Sequence, residues 1–449
     1  MSIDVLAGAR GRPEALALVT PSFAWSYAEL NAEVDARAAL LLEGGTEPGR
    51  IVPVVVEPDS AGIVELLALW RVGAVPAPLN PGLTEAERAA ARATLAQRDG
   101  EHGDSNVPDS SQAILWTSGT AGRPRGVALS FENLEASARA AAQRLALTER
   151  DVWLASLSTA HVGGLALVTR SLLLGACLVA TGRYRTETVS ALLDGHGLPD
   201  GAAVQLTHMS LVPTQLGRLL EHRAGRPPGE SFRCALIGGA HAPEEIVARA
   251  LQAGWPLALT YGATEMSSQV ATAPPELTRR KPGTVGAPLD GVEVRVGDDG
   301  ELAVRGPTRC LRYVGGDGQA LSDPDGWYHS GDLGRIDADG HVWITGRRSD
   351  RIVSGGVTID AVEVEEVLRS HPAVIDACVV GVPDDEWGQR VAAWVEPVVG
   401  EFELDDVEVH VRARLSAPKV PRSWHVAGGI PRNPNGKVDR AKVLQVLAP

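Results

Sequence analysis

The chain has 449 residues, 44% hydrophobic and 22% charged, a balance typical of a soluble globular protein and a length beyond what one core usually organises. Its formal net charge of -14, with no lysine- or arginine-rich block, excludes nucleic acid and anionic membrane as principal partners. Cys177, Cys234, Cys310 and Cys378 lack metal-ligand spacing, and neither a secretory leader nor an apolar run of roughly 20 residues is visible; a cytoplasmic protein with reduced thiols is expected.

In chain order, Ile51 to Val56 reads as a strand and Ala61 to Val72 as the helix after it. Residues 100–111 are polar and rich in turn formers, as in a linker. Leu115 to Gly126 (LWTSGTAGRPRG) follows an apolar run and precedes a helix expected to be capped at Ser130. Its small and hydroxyl residues suit an anion: Gly119 frees backbone N–H groups, Thr117, Ser118 and Thr120 add donors, and Arg125 adds charge. Short apolar runs at 203–205, 234–237 and 257–259 read as further strands, and their alternation with helical stretches predicts a mainly parallel α/β architecture. Gly238-Gly239-Ala240, after the second of these, allows backbone to approach a flat ligand closely.

Residues 301–305 and 341–344 read as strands of a β-rich segment, and the charged stretch Gly346 to Asp350 as a hinge. A unit of about a hundred residues follows. In it Asp360 is expected to cap a helix with Glu363 completing a capping box, strands are expected at 374–382 and 391–397, and a helix at 405–416. The expected fold is therefore α/β, with a large multi-subdomain domain over 1–347 and a small mobile α+β lid over 348–449.

Four further strings carry chemistry: Thr260 to Glu265 (TYGATE), Tyr328 to Asp332 (YHSGD), Gly346 to Ile352 (GRRSDRI) and Pro431 to Asp439 (PRNPNGKVD). Taken singly, each has a plainer reading: a core tyrosine, a turn aspartate, a solvated terminal lysine. Yet Lys437 is one of only four lysines in an arginine-biased chain. With the 115–126 loop, and in this order along nearly the whole chain, the strings resemble the motifs of the adenylate-forming superfamily of acyl-CoA synthetases, luciferases and adenylation domains. That resemblance implies an enzyme that makes an acyl-adenylate from ATP and a carboxylic acid. It implies that Tyr261 stacks on adenine beside Gly239, Ala240 and Gly262, that Thr264 contacts the α-phosphate, and that Glu265 holds Mg2+. Asp332 and Arg347 are implied at the ribose, Ser349 at the hinge, Gly355 and Gly356 at the coenzyme A face, and Lys437 as the lysine of adenylation. The family usually has lysine where Arg125 stands, so altered phosphate geometry is expected there.

Three more segments resemble the o-succinylbenzoate–CoA ligase branch, which serves menaquinone biosynthesis: His161 to Leu165 with Arg170-Ser171, Thr207 to Leu216, and Ser267 to Val270. The resemblance implies an acid pocket of His161, Gly163, Gly164, Thr207, Gly238, Ser267, Ser268 and Gln269, the two glycines leaving room for a ring. Arg170 is either a partner of the second carboxylate or half of a helix-end ion pair. The residues Val357 to Ile359 depart from the branch pattern. A ligase for another acid, or one loading a carrier protein, is the alternative. Expected partners are the acid, ATP and coenzyme A, with no nucleic acid and no stable membrane insertion; a homodimer is left open.

Overall fold

The computed structural model describes the chain except for residues 1–6, 10, 97, 100–103, 106–107, 109, 119–123, 200–203, 315–320, 401, 434–435 and 449. The described residues pack as two compact units: 1–242, 246–294 and 303–329 form one, and 243–245, 295–302 and 330–449 the other.

The first unit is built on an eight-stranded sheet in the spatial order Ser268–Ala273, Leu257–Ala263, Cys234–Ile237, His208–Leu211, Val152–Leu154, Cys177–Val179, Leu16–Val19, Ala24–Ser26. The six inner strands run parallel and the two edge strands antiparallel. Cys234 and Leu236 bury against one helical layer with Trp153, Leu178 and Ala258, whereas Ala235 and Ile237 bury against the other with Leu154, Leu257 and Leu259. Both faces are covered, which is why these strands read as unbroken apolar runs. An antiparallel sheet of Ser111–Ser118, Pro124–Ser130 and Arg312–Val314 and a parallel pair, Ile51–Val55 with Val75–Leu79, complete the unit's larger sheets. In the expected linker, Arg98–Asp99 pairs with Asp104–Ser105.

In the second unit, Arg351–Ser354 and Val357–Asp360 form a hairpin, joined through Gly388–Pro397 to Val374–Asp384, with Ser423–Val426 also on Gly388–Pro397. Helices Ala361–Arg369, Leu404–Arg412 and Arg440–Leu447 pack on it. A four-stranded sheet of Glu293–Val296, Glu301–Arg305, Tyr328–Ile336 and Val342–Arg347 supplies the expected β-rich segment. The mixed α/β class is as the sequence predicts.

Three local expectations are corrected. The strand sought at 203–205, whose Ala203 lies outside the described residues, is His208–Leu211; it escaped notice because buried His208 and Ser210 interrupt its apolar pattern. Ser130 does cap its helix, in a reciprocal box with Asn133, but Asp360 and Glu363 form no such box. Asp360 accepts from Arg351 and Glu363 from Lys419, so ion pairs took both carboxylates away from the backbone. The helix sought at 405–416 ends at Arg412. All four cysteines are buried and unpaired; burial pushes the Cys177, Cys234 and Cys378 thiols up to about 12 and Cys310 also upward. No helix of the described residues is long and apolar enough to cross a membrane.

Candidate active site

In an open parallel sheet the carboxyl ends of the strands form the natural ligand edge, and the first unit gathers several of the expected residues there. Cys234–Ile237 runs into Gly238-Gly239-Ala240. A Cβ at Gly238 would lie 2.6 Å from Thr260 Cγ2, and Gly239 has φ +79°, so a side chain is excluded at the first and strained at the second. Leu257–Ala263 ends with Tyr261, largely buried, and passes into the short 3-10 turn Thr264–Met266. Gly262 sits at a bulge against Gln269, where a Cβ would come within 1.9 Å of the Ser268 carbonyl oxygen. Its glycine is therefore demanded by strand pairing and not by a nucleotide.

Glu265, in that turn, is 8% exposed, and its carbonyl accepts from the Cys310 N–H at 2.7 Å. Its Oε1 accepts from the Tyr313 hydroxyl at 3.0 Å, and no other hydrogen bond reaches the carboxylate from the described residues. A nearly buried carboxylate with one oxygen unclaimed is an incomplete arrangement unless a cation completes it; the site fits a hard divalent ion with oxygen ligands. Burial, then the Glu265 charge, pushes the Tyr313 phenol up, and Tyr328 is pushed up for the same reasons. Neither tyrosine was singled out in the sequence for this role. Their signal, a polar tip beside an acid, exists only across strands.

The strand Ser111–Ser118 packs beside the Thr264–Met266 turn. Thr117 Oγ1 is buried there with no hydrogen-bond partner among the described residues, a donor ready for an anion. Arg125 lies directly across from Thr117 in the ladder and places its guanidinium 4.6 Å from the Tyr313 ring centroid. Of the other loop positions, Gly119 and Thr120 lie outside the described residues.

The acid-pocket residues divide. His161 precedes helix Val162–Leu174, and its Nε2 lies 3.0 Å from Asn80 Nδ2. Asn80 Oδ1 is taken by the Gly82 N–H at 2.8 Å, so the amide nitrogen faces the imidazole and Nε2 must accept. Asn80 thereby orients His161, a pairing of residues 81 apart that sequence did not disclose. Gly164 makes no room for a ring: a Cβ there would sit 2.2 Å from the Ser158 carbonyl oxygen, so its own chain fills the space. At Gly163 the nearest atom is only the Leu157 Cδ1, at 3.2 Å.

Thr207 lies apart from the ligand edge. It precedes the strand His208–Leu211, about 13 Å of extended chain from the ligand edge. Its hydroxyl meets His208 Nδ1 at 2.7 Å, Asp151 Oδ1 at 3.2 Å and the Val152 backbone, which makes it a fold-locking group. Ser267 and Ser268 have positive φ, +53° and +116°, a strain for non-glycine residues that clusters at functional sites. The Ser267 hydroxyl is nevertheless committed to the Thr308 carbonyl at 2.7 Å. Gln269 is committed at both ends, accepting from Arg170 at 2.6 Å and donating to Thr272 Oγ1 at 2.7 Å. The polar groups of Ser267 and Gln269 are therefore spent inside the fold. Among the described residues Arg170 makes no helix-end ion pair: it lies within Val162–Leu174, buried, 4.3 Å over the Trp153 ring. Burial pulls it down to about 10, so it stays charged at neutral pH.

The second unit holds the remaining residues. Asp332 and Arg347 face each other across Tyr328–Ile336 and Val342–Arg347, joined at 2.7 Å. Ser349 lies in the 3-10 turn Arg348–Asp350, whose Arg348 pairs with Asp299 and Glu301 at 2.5 and 2.9 Å. Gly355 and Gly356, with φ +56° and +79°, form the two-residue turn of the Arg351–Asp360 hairpin. A Cβ on Gly355 would strike the Trp387 indole at 2.5 Å, whereas Gly356 opens to space. Lys437 is exposed at the end of a turn in which its N–H donates to Asn433 Oδ1 at 3.1 Å; Arg432 anchors that turn to Asp376 at 2.5 Å. Pro434 and Asn435 lie outside the described residues.

The profile of the AMP-binding enzyme family matches residues 6–94 and 89–314, and that of the AMP-binding enzyme C-terminal domain matches 363–437. A 2-succinylbenzoate–CoA ligase of a Geobacillus species is 31% identical over 97% of this chain and 95% of its own length. Another from Bacillus licheniformis is 37% identical over 75% of this chain and 70% of its own. Among solved structures, the o-succinylbenzoate CoA synthetase of Bacillus subtilis in complex with its acyl-adenylate intermediate superposes with a TM-score of 0.88 at 28% identity, covering 98% of this chain and 97% of that one. The same enzyme with ATP and magnesium ion gives 0.85 at 30% identity, covering 98% of each chain.

Proposed function

The chain belongs to the AMP-binding enzyme family, and from that premise we propose that it ligates 2-succinylbenzoate to coenzyme A through an acyl-adenylate, consuming ATP and releasing AMP and diphosphate, as a step of menaquinone biosynthesis. The observation that carries this reading is the end-to-end similarity to 2-succinylbenzoate–CoA ligases, 31% identity over 97% of the chain.

In this reading the edge formed by Gly238, Gly239, Ala240 and Tyr261 receives adenine, and Asp332 with Arg347 holds the ribose. Thr117, Ser118, Gly119, Thr120 and Arg125 take the outer phosphates, and Thr264 the α-phosphate. Mg2+ held by Glu265 supplies charge neutralisation of the phosphates and orients them for in-line displacement. The acid is already ionised at neutral pH, so its carboxylate attacks the α-phosphorus without a general base. Diphosphate leaves, and the Lys437 ammonium stabilises the charge that builds on the oxygens around phosphorus. His161, oriented by Asn80, lines the acid channel, and Arg170, held on Gln269, is a buried positive charge of the same unit. The lid over 348–449 then turns about Ser349. That removes Lys437 and brings the Gly355-Gly356 turn to the thiol of coenzyme A, whose sulfur attacks the acyl carbon and expels AMP.

The test is pyrophosphate release with ATP, Mg2+ and a panel of acids. A kcat/KM for 2-succinylbenzoate at least tenfold above benzoate, succinate and medium-chain acids is expected. Equal or greater efficiency with any of these would overturn the assignment of the acid. Acyl-CoA formation with free coenzyme A separates it from a carrier-protein-loading enzyme.

A further inference from the structure

We propose that Tyr313 is a positioning residue for the metal–ATP step, fixing Glu265 through its hydroxyl and holding Arg125 on its ring; this rests on the ATP-dependent reading above. Tyr313 lies in the edge strand Arg312–Val314 and pairs with Val127, two residues beyond Arg125 on the neighbouring strand. Residues two apart share a face, so Arg125 and Tyr313 are diagonal neighbours. The guanidinium lies 4.6 Å from the ring centroid, and at the far end of the same ring the hydroxyl lies 3.0 Å from Glu265 Oε1.

One side chain thus meets a cation on its ring face and an anion at its hydroxyl. A direct Arg125–Glu265 ion pair would neutralise the carboxylate that the metal needs. With the tyrosine in place, Oε1 is held by a neutral donor, Oε2 remains for a cation, and Arg125 is oriented by the ring face. The arrangement also accounts for arginine at this position. A planar guanidinium stacks on an aromatic face better than a compact, strongly hydrated ammonium does.

Three variants separate the two roles. Tyr313→Phe keeps the ring and deletes the hydroxyl, Tyr313→Leu deletes both, and Tyr313→Leu combined with Arg125→Ala removes the cation freed by the loss of the ring. Mn2+ is titrated against enzyme with ATP and without acid, and enzyme-bound metal is read by EPR. Tyr313→Phe is expected to weaken metal binding roughly tenfold, the usual scale for a residue that orients a metal ligand. Tyr313→Leu is expected to weaken it further, and the double variant to recover part of that loss. Pyrophosphate release by Tyr313→Phe should return to near the parent rate when Mg2+ is raised, with the ligand-free melting temperature unchanged. Unaltered Mn2+ binding in Tyr313→Phe, with or without a lower melting temperature, overturns the proposal while the proposed function stands. Absence of Mn2+–ATP binding to the parent enzyme overturns both.

Discussion

Arg347 Nε lies 2.7 Å from Asp332 Oδ1, directly across an antiparallel ladder, so two residues from separate sequence motifs form one ion pair. Asp332 is mostly buried and Arg347 mostly exposed, 14% and 58% by side chain, so the carboxylate is fixed by strand and partner while the guanidinium remains accessible. If the pair serves the ribose as a unit, each alanine substitution should raise the KM for ATP about tenfold or more, the scale of a lost hydrogen bond to a charged group. The double variant should be only slightly worse than either single one. Additive losses would show two independent contacts, to be read from ATP-dependent pyrophosphate release.

Lys437 is presented by a turn whose backbone is closed on Asn433 and tied to Asp376 through Arg432. Lys437→Ala should therefore leave the fold intact. It is expected to slow acyl-AMP formation roughly a thousandfold, as befits a group aimed at transition-state charge, yet to spare thioester formation from pre-made acyl-AMP. Equal loss in both half-reactions would remove it from the adenylation step.

Gly164 and Gly163 should behave differently despite being neighbours. Alanine at 164 drives a Cβ onto the Ser158 backbone at 2.2 Å, which cannot yield without moving the start of the Val162–Leu174 helix. A loss of about 1–3 kcal/mol and a fall of several degrees in melting temperature are expected. Alanine at 163 meets only a leucine methyl and should melt within a degree or two of the parent.

His208 is buried between Trp153 and the Asp151–Arg233 pair, and burial, against the pull of Asp151, lowers it from 6.5 to about 4. A depressed basic group binds fewer protons folded than unfolded, so its contribution is fully present above about pH 6.5 and lost progressively as pH falls toward 4. Urea unfolding of the first unit should weaken across that window by an amount of order 1–3 kcal/mol. His208→Gln should flatten this dependence. A parent protein equally stable at pH 7 and 5 would contradict the assignment.

The sequence alone determined the α/β class, the alternation of strand and helix, the hydroxyl- and glycine-rich strings, and the rarity of lysine that singled out Lys437. Each is a local property, set by side-chain period or by the chemistry of a few adjacent residues. Only tertiary structure decided which residues share a site. Thr207, within a matching string, falls just before the start of its strand, away from the ligand edge, because chain direction in the sheet, which composition does not encode, decides which end of a parallel strand meets that edge. The hydroxyl of Ser267 and the amide of Gln269 look like donors for a substrate, but the Thr308 carbonyl, 41 residues away, takes the first, and Thr272 Oγ1 takes the second while Arg170, 99 residues away, fills its oxygen. The triad of Arg125, Tyr313 and Glu265 was invisible for the same reason. Its members come from three strands or turns brought together by antiparallel pairing and burial, and no spacing along the chain encodes that meeting.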